Sequence, residues 1–379
     1  MNCKRFALMA LLFGCSVPAM AQSSVVLFGS IDEGLTFTNN THGSRAYQIN
    51  GSDVVTSRWG LRGTEDLGGG LNAIFTLQSS FNLENGTFIY ANRMFGFQSY
   101  VGLQSDSLGT LTIGRQFDVI ADTVGWLTAN GSWAGYLFAH PVDNDNTDAS
   151  VHANNSVKYV SPTWKGFTAE GLYGFSNGAG SFSDNRLYGL GLNYSIGDLT
   201  LASFYEELGS PGVNDIGAVP SVDANFLSDN QKIWGAAAAY KIGNATVGVT
   251  YTRTNIKQAT SSVYVGQISE SASDLKFDNY EANIKYYVEP DWFVGGAYTY
   301  TNARLGEGGE NFSIHWNQVS LMTLYSLSKR TSVYAQVAYQ KVSGGAPGSI
   351  LDYAYIPGSA GVASGTSQLA ARLALIVNF

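Results

Sequence analysis

Apolar and polar residues alternate with a period of two along most of the chain, and sustained helical spacing is nearly absent. Near the end, Leu369, Ala371, Leu373, Leu375, Val377 and Phe379 share one parity; Ala370, Arg372, Ala374, Ile376 and Asn378 share the other. In 280–289, Tyr280, Ala282, Ile284, Tyr286 and Val288 alternate with Glu281, Asn283, Lys285, Tyr287 and Glu289. One face suits hydrocarbon and the other suits water. The pattern predicts sixteen strands, near 24–38, 57–65, 71–82, 93–105, 109–118, 154–161, 167–176, 186–196, 199–208, 232–242, 245–257, 279–289, 292–304, 315–328, 331–342 and 368–379. Each has roughly the length of a tilted strand crossing a bilayer, about 9–11 residues, plus some overhang.

The connections alternate in length. Short ones fall at 66–70, 106–108, 162–166, 197–198, 243–244, 290–291 and 329–330. Long ones fall at 39–56, 83–92, 119–153, 177–185, 209–231, 258–278, 305–314 and 343–367. Turns at one end and loops at the other are the asymmetry of a transmembrane barrel, and an even strand number puts both chain ends on the turn side. A closed sheet leaves no backbone edge unpaired in lipid. With no linker or shift in composition, the reading is one all-β barrel domain over 22–379. Tyr159, Tyr194, Tyr205, Trp234, Tyr240, Tyr251, Trp292 and Tyr339 fall near strand ends, where interfacial girdles belong.

Composition narrows the class further. Only 13% of residues are charged, and the difference is made up by Gly (44), Tyr (22), Phe (20) and small polar residues, with only 8 Pro. That mix excludes collagen, coiled coils and helical membrane bundles, and abundant aromatics argue against disorder. A formal charge of −8 argues against nucleic acid as a partner. Lys4 and Arg5, an apolar run over 6–17, and Ala19-Met20-Ala21 predict a secretory signal peptide over 1–21. A lipoprotein signal ending at Cys15 is the competitor, and the bulky Phe13 speaks against it. Cleavage removes both basic residues, taking the charge from −8 to −10, and both cysteines, Cys3 and Cys15. The mature chain then has no disulfide, thiolate metal site or Cys nucleophile.

Several stretches are similar to the trimeric general porins of Gram-negative outer membranes, above all the β-proteobacterial and neisserial branch. They are Val25-Val26-Leu27-Phe28-Gly29-Ser30-Ile31-Asp32 and the run from Ser57-Arg58-Trp59-Gly60-Leu61-Arg62-Gly63 to Leu71. Tyr100-Val101-Gly102-Leu103, the run from Gly109 to Gln116, Asn155-Ser156-Val157-Lys158-Tyr159 and the run from Tyr325 to Thr331 continue it. The resemblance covers the whole mature chain. It implies a homotrimer of sixteen-stranded barrels with loop three, near 119–153, folded into each lumen. It also implies outer-membrane lipid and lipopolysaccharide as surroundings, and an assembly machinery that reads the terminal Phe379. No cofactor is implied.

Parity assigns the pore-facing charges. Trp59, Leu61 and Gly63 face out, so Arg58, Gly60, Arg62 and Thr64 face the lumen; Lys158, Lys285 and Arg372 turn inward likewise. Over 93–105 parity is ambiguous, and the family register would turn Arg93, Phe95, Phe97 and Ser99 inward. Loop three carries Asp122, Asp143, Asp145 and Asp148, with Asp118 at its root. A basic wall opposite an acidic loop makes a transverse field that orients polar solutes and sets ion preference. The resemblance puts Arg at the positions of Phe97 and His152 and Glu at that of Gln78, so this constriction is expected to be less charged. The expected selectivity is nearly neutral with a slight cation lean, and His152 is expected to serve as a pH handle. Arg115 follows Leu111 and Ile113 on the outward parity, where an arginine in lipid costs about 2–4 kcal/mol. The family's loop-two contacts make Glu84 the expected partner of Arg115 across a subunit interface; the alternative is that Arg115 snorkels to the rim.

Other chemistry is weak. Asp143-Asn144-Asp145-Asn146-Thr147-Asp148 begins like a calcium loop but lacks the sixth-place Gly and the twelfth-place Glu. His42, His140, His152 and His315 have no metal-ligand spacing. Trp126, Trp133, Tyr136 and Phe138 could stack on sugars, but packing against the wall is the better reading. The function that follows is passive diffusion of ions and small hydrophilic solutes. Its rivals are a channel specific for one nutrient such as a sugar or organic acid, a barrel enzyme, and an adhesive barrel with a plugged lumen.

Overall fold

The computed structural model describes residues 24–90, 92–268 and 273–379, so the signal-peptide reading over 1–21 lies outside the described residues. Sixteen antiparallel strands close into one barrel. They are β1 (Ser24–Thr41), β2 in two pieces (Ser44–Gly51 and Arg58–Gly68), β3 (Leu71–Ser80), β4 (Gln98–Ser105), β5 (Gly109–Phe117) and β6 (His152–Val160). Then come β7 (Phe167–Gly174), β8 (Arg186–Ile196), β9 (Leu199–Gly209), β10 (Asn230–Ile242) and β11 (Ala245–Ala259). The set ends with β12 (Ser273–Glu289), β13 (Trp292–Glu307), β14 (Glu310–Ser326), β15 (Thr331–Gly345) and β16 (Ser367–Asn378). Consecutive strands pair. β16 closes on β1, with Ser30 opposite Asn378, and Phe379 exchanges two 3.0 Å backbone hydrogen bonds with Gly29. Both ends of the described barrel therefore lie at the turn end.

Alternation holds through the middle of the wall. Leu373 and Leu375 point out, while Arg372 and Ala374 point in. At the loop end of β11–β15 the pattern reverses. Ile256, Leu275, Phe277, Leu305, Ile314, Trp316 and Val342 point into the lumen and form a dry core with Phe226, Ile268 and Leu351 of the loops. The outward positions there are polar or charged. These strands extend beyond the hydrocarbon, and the inturned loops fill one side of the barrel mouth.

Two connections differ from the expected long loops. Residues 39–56 hold a tight hairpin at His42-Gly43 (φ 50° and 91°), followed by the first piece of β2. Residues 305–314 hold another at Gly308-Gly309 (φ 60° and 87°). Positive φ at both central residues suits the twist of the flanking strands, which carry their pairing up to the tip. Residues 52–57 leave the wall between the two pieces of β2. They stand opposite only Ile31 and Asp32 of β1, because Gly51 pairs with Glu33 and Arg58 with Ser30. Asp32 holds this inturned segment through the backbone N–H groups of Val54 (2.7 Å) and Val55 (3.1 Å).

Candidate functional site: the lumen and its constriction

Loop three, residues 118–151, leaves β5 and follows the inner wall. Its apolar residues fix that path. Val119, Ile120 and Val124 pack on Leu172, Leu187, Ala202 and Phe204 of β7–β9. Trp133, Leu137 and Phe138 pack on Phe293, Met322 and Tyr334 of β13–β15. Trp133 and Phe138 therefore belong to the wall packing. Trp126 is 59% exposed inside the lumen.

Polar anchors complete the attachment. Asp118 is fully buried and caps a helical turn, accepting from the Ala121 N–H (2.9 Å) and from Asn146 Nδ2 (2.5 Å). Burial pushes its carboxyl up to about 6 despite those bonds. Farther along, His140 Nδ1 meets Asp145 Oδ2 at 2.7 Å and His140 Nε2 meets Glu281 Oε2 at 3.1 Å. Burial alone would lower the imidazole, but the two carboxylates hold it up to about 10. Burial would likewise raise Asp145, yet His140 and Thr252 keep it below the usual carboxylate range. Glu281 Oε1 also accepts from the Ala129 N–H (2.8 Å). A charged imidazole between two acids thus ties loop three to β12. Asp143 accepts from Ser150 Oγ (2.5 Å) and Asn225 Nδ2 (2.6 Å). Asp148 accepts from the Ser150 N–H (3.0 Å), and burial pushes it up to about 6. Asp143 and Asp145 of loop three are thus buried and structural, whereas Asp148 is half-buried and borders the lumen. Among the described residues no group of three or more His, Cys, Asp or Glu is arranged to hold a metal.

A cavity of about 700 Å³ lies between loop three and the β1–β5 wall. The wall contributes Arg58, Gln78 and Gln98; loop three contributes Asp122, Trp126, Asn130, Tyr136 and Asp148. Asp53 of the inturned segment, Asp223, Tyr264 and Tyr355 complete the rim. A second cavity of about 440 Å³, lined by Lys241 and Lys285, lies towards the turn end, and Trp126 borders both.

The predicted residues divide according to their partners. Arg58 lies over the Phe97 ring at 5.1 Å and donates to Thr56 O at 3.3 Å; among the described residues no carboxylate pairs with it. Arg62 faces inward over Phe28 (5.1 Å) but borders neither cavity. Lys158 forms an ion pair with Asp122, so this wall cation is neutralised by the loop acid. Arg372 turns inward as parity requires but is buried, bonded to Asp32 Oδ1 (3.2 Å), Tyr334 OH (2.8 Å), Thr36 Oγ1 (2.9 Å) and Asn50 Oδ1 (2.8 Å). It fastens the inturned segment and does not line the pore.

Further expectations require correction. The fourth strand begins at Gln98, not 93, and its even positions face the lumen; Val101 and Leu103 are exposed on the outside. Arg93 therefore lies in loop two, where its Nη1 meets Asp223 Oδ2 at 2.6 Å. Phe97 is buried against Arg58, Phe117 and His152. His152 is fully buried, with Nδ1 3.1 Å from Tyr90 OH, so it does not meet the pore solution as a pH handle. Arg115 breaks the parity rule because a bulge precedes it. Register shifts between Gly114 and Gln116, and Gly114 has φ 145°, where a Cβ would lie 2.1 Å from Ser99 O. Arg115 is thereby covered by its own chain. It donates to Gly96 O (2.6 Å), Asn154 Oδ1 (2.6 Å) and Asp223 Oδ2 (2.8 Å), while Glu84 stands exposed in loop two. Within its own chain, the carboxylate partner of Arg115 is Asp223.

Sequence reasoning missed Asp223 and Asp53. Apolar Ala218, Val219, Ala224 and Phe226, all buried, mark the Asp223 loop as turned inward, and that signal was present in the sequence. Burial pushes the Asp53 carboxyl up to about 7, against the lowering pull of Arg372.

A Gram-negative porin family model matches residues 7–345. The chain belongs to the Gram-negative porin family. This porin is 31% identical to an outer membrane porin protein of Bordetella pertussis, over 88% of this chain and 92% of that one. Among solved structures it resembles an anion-selective porin from Comamonas acidovorans (TM-score 0.72, 24% identity, 94% of this chain and 100% of that chain). It also resembles a trimer form of the outer-membrane protein OmpT of Vibrio cholerae (TM-score 0.65, 16% identity, 94% and 99%). The porin is an integral outer-membrane protein with periplasmic turns and extracellular loops, a passive diffusion channel and not an enzyme. A sixteen-stranded wall encloses more space than its own side chains fill, and loop three with the inturned loops narrows that space, with Trp126 bordering both cavities.

Proposed function

We propose that this channel is a general one for ions and small hydrophilic solutes, with its ion preference set by Arg58 against Asp53 and Asp148. One observation carries the reading. Arg58 borders the 700 Å³ cavity and has no carboxylate partner among the described residues, whereas Lys158, Arg93, Arg115 and Arg372 are each paired. Asp53 and Asp148 border the same cavity, with carboxyls raised to about 7 and about 6. Both are charged at pH 8 and neutral at pH 5. Selectivity is then nearly neutral with a cation lean at pH 8, and turns towards anions as pH falls through 7 to 6. Reversal potential under a salt gradient tests this. A preference that ignores pH, or an Arg58→Gln variant that leaves it unchanged, would refute the assignment.

The working unit we propose is a homotrimer. Loop two presents Leu83, Phe88 and Met94 as exposed apolar residues, which supports a contact with a second copy, and a solved relative is a trimer. Phe379, half exposed at the turn end, is the proposed mark read by the assembly machinery. Outer-leaflet lipid, lipopolysaccharide included, surrounds the wall.

A further inference from the structure

Towards the turn end of the lumen, strands β10, β11 and β12 place three residues in one row. Lys241 stands opposite Thr246, and Thr246 stands opposite Lys285. Two strand spacings separate the lysines, about 10 Å between backbones, so both long side chains reach the space over Thr246. All three line the cavity of about 440 Å³, and no Asp or Glu lines it. The acids of the neighbouring sequence do not pair with these lysines. Glu281 is held by His140, the Asn283 amide and the Ala129 N–H. Asp198, whose backbone oxygen accepts from the Lys241 N–H at 3.0 Å, is exposed at the turn end, as are Glu289 and Asp291. Lys285 is held by rings instead, with Nζ 4.9 Å from the Tyr287 centroid and 4.3 Å from that of Phe293. Such a contact orients an ammonium without neutralising it.

Loop three supplies the opposite face of the cavity, and that face is aromatic and apolar: Trp126, Leu127 and Trp133. Gly295 lets it come close. Gly295 stands opposite Lys285, and a Cβ there would lie 2.5 Å from the Trp133 ring. Asn283 Nδ2 donates to Leu127 O at 3.1 Å and fixes this part of the loop over the cavity. Trp126, more than half exposed, presents indole surface to the lumen with no ring of the chain stacked on it among the described residues. One cavity thus joins two ammonium groups without carboxylate partners to an uncovered indole.

We propose that this cavity is a binding subsite for aromatic carboxylates of the benzoate type, on the periplasmic side of the constriction. The carboxylate accepts charge-assisted hydrogen bonds from Lys241 and Lys285, and the ring lies against Trp126. A small aliphatic anion satisfies only the lysines, and a neutral ring only the indole. Trp126 borders both cavities, so a solute held there narrows the path of other ions. The subsite rests on the channel reading above and names a solute class for it.

The test is single-pore conductance in planar bilayers with benzoate on the side of the turns, against acetate and neutral benzamide. Benzoate should reduce the current saturably, at concentrations where acetate and benzamide do not. Lys241→Gln/Lys285→Gln should raise the half-blocking concentration about tenfold, and Trp126→Ala about threefold. Lys241→Arg/Lys285→Arg should keep it near that of the parent. If the bilayers show no conductance at all, the channel reading itself fails. Conducting pores that benzoate does not block, equal block by acetate, or a double Gln variant blocked like the parent overturns the subsite alone. Equal block by inorganic phosphate would assign the lysines to anions at large and overturn the aromatic class.

Discussion

At the residue scale, the charges fall into those spent on structure and those left to the pore. Asp223 is the shared acid of Arg93 and Arg115, and it is itself buried. Asp223→Asn leaves two guanidinium groups facing each other, so it should cost about 3 kcal/mol of barrel stability, measured by urea unfolding in detergent. It should also turn the reversal potential towards anions. Glu84→Gln should change neither, whereas an inter-subunit partner for Arg115 would reverse those two results. Parity alone could not have found Asp223. The period-two rule holds only while the ladder is regular, and the bulge at Gly114 breaks it one residue before Arg115. Arg58 was legible because β2 is regular from Arg58 onward. Phe97→Leu removes the ring beneath that guanidinium and should weaken its positioning, giving a noisier open pore at unchanged mean selectivity.

At the scale of elements, the strands could be read because their two faces meet different solvents. The two hairpin tips and the reversed ends of β11–β15 could not, because there both faces leave the hydrocarbon and alternation no longer reports membrane depth. The resemblance placed loop three in the lumen, but its detailed course could not be read, since its wall partners are spread over strands from β7 to β15. That course depends on the His140 bridge between Asp145 and Glu281. The imidazole is raised from 6.5 to about 10, so its contribution is complete below the unfolded value and is lost as pH climbs through about 10. Single-pore recordings should therefore be quiet at pH 7 and become noisy near pH 10. His140→Gln should show that noise at neutral pH. A variant as quiet as the parent would mean that apolar packing alone holds the loop.

At the scale of the whole molecule, bore and wall are separate constructions. The barrel gives a lumen of fixed circumference, and inturned segments decide what passes. Trp126 stands between the two cavities, so Trp126→Ala should raise single-pore conductance and speed the entry of larger neutral sugars in liposome swelling, without altering thermal stability. The segment 52–57 has the same independence in a different currency, that of inheritance. Six residues stand opposite two on β1, and pairing resumes in register on either side of them. Insertions and deletions at this point would shift no other strand pair around the barrel. A lineage can thus lengthen or shorten this stretch and change its permeability in a single genetic event, while every other hydrogen bond of the wall descends unaltered.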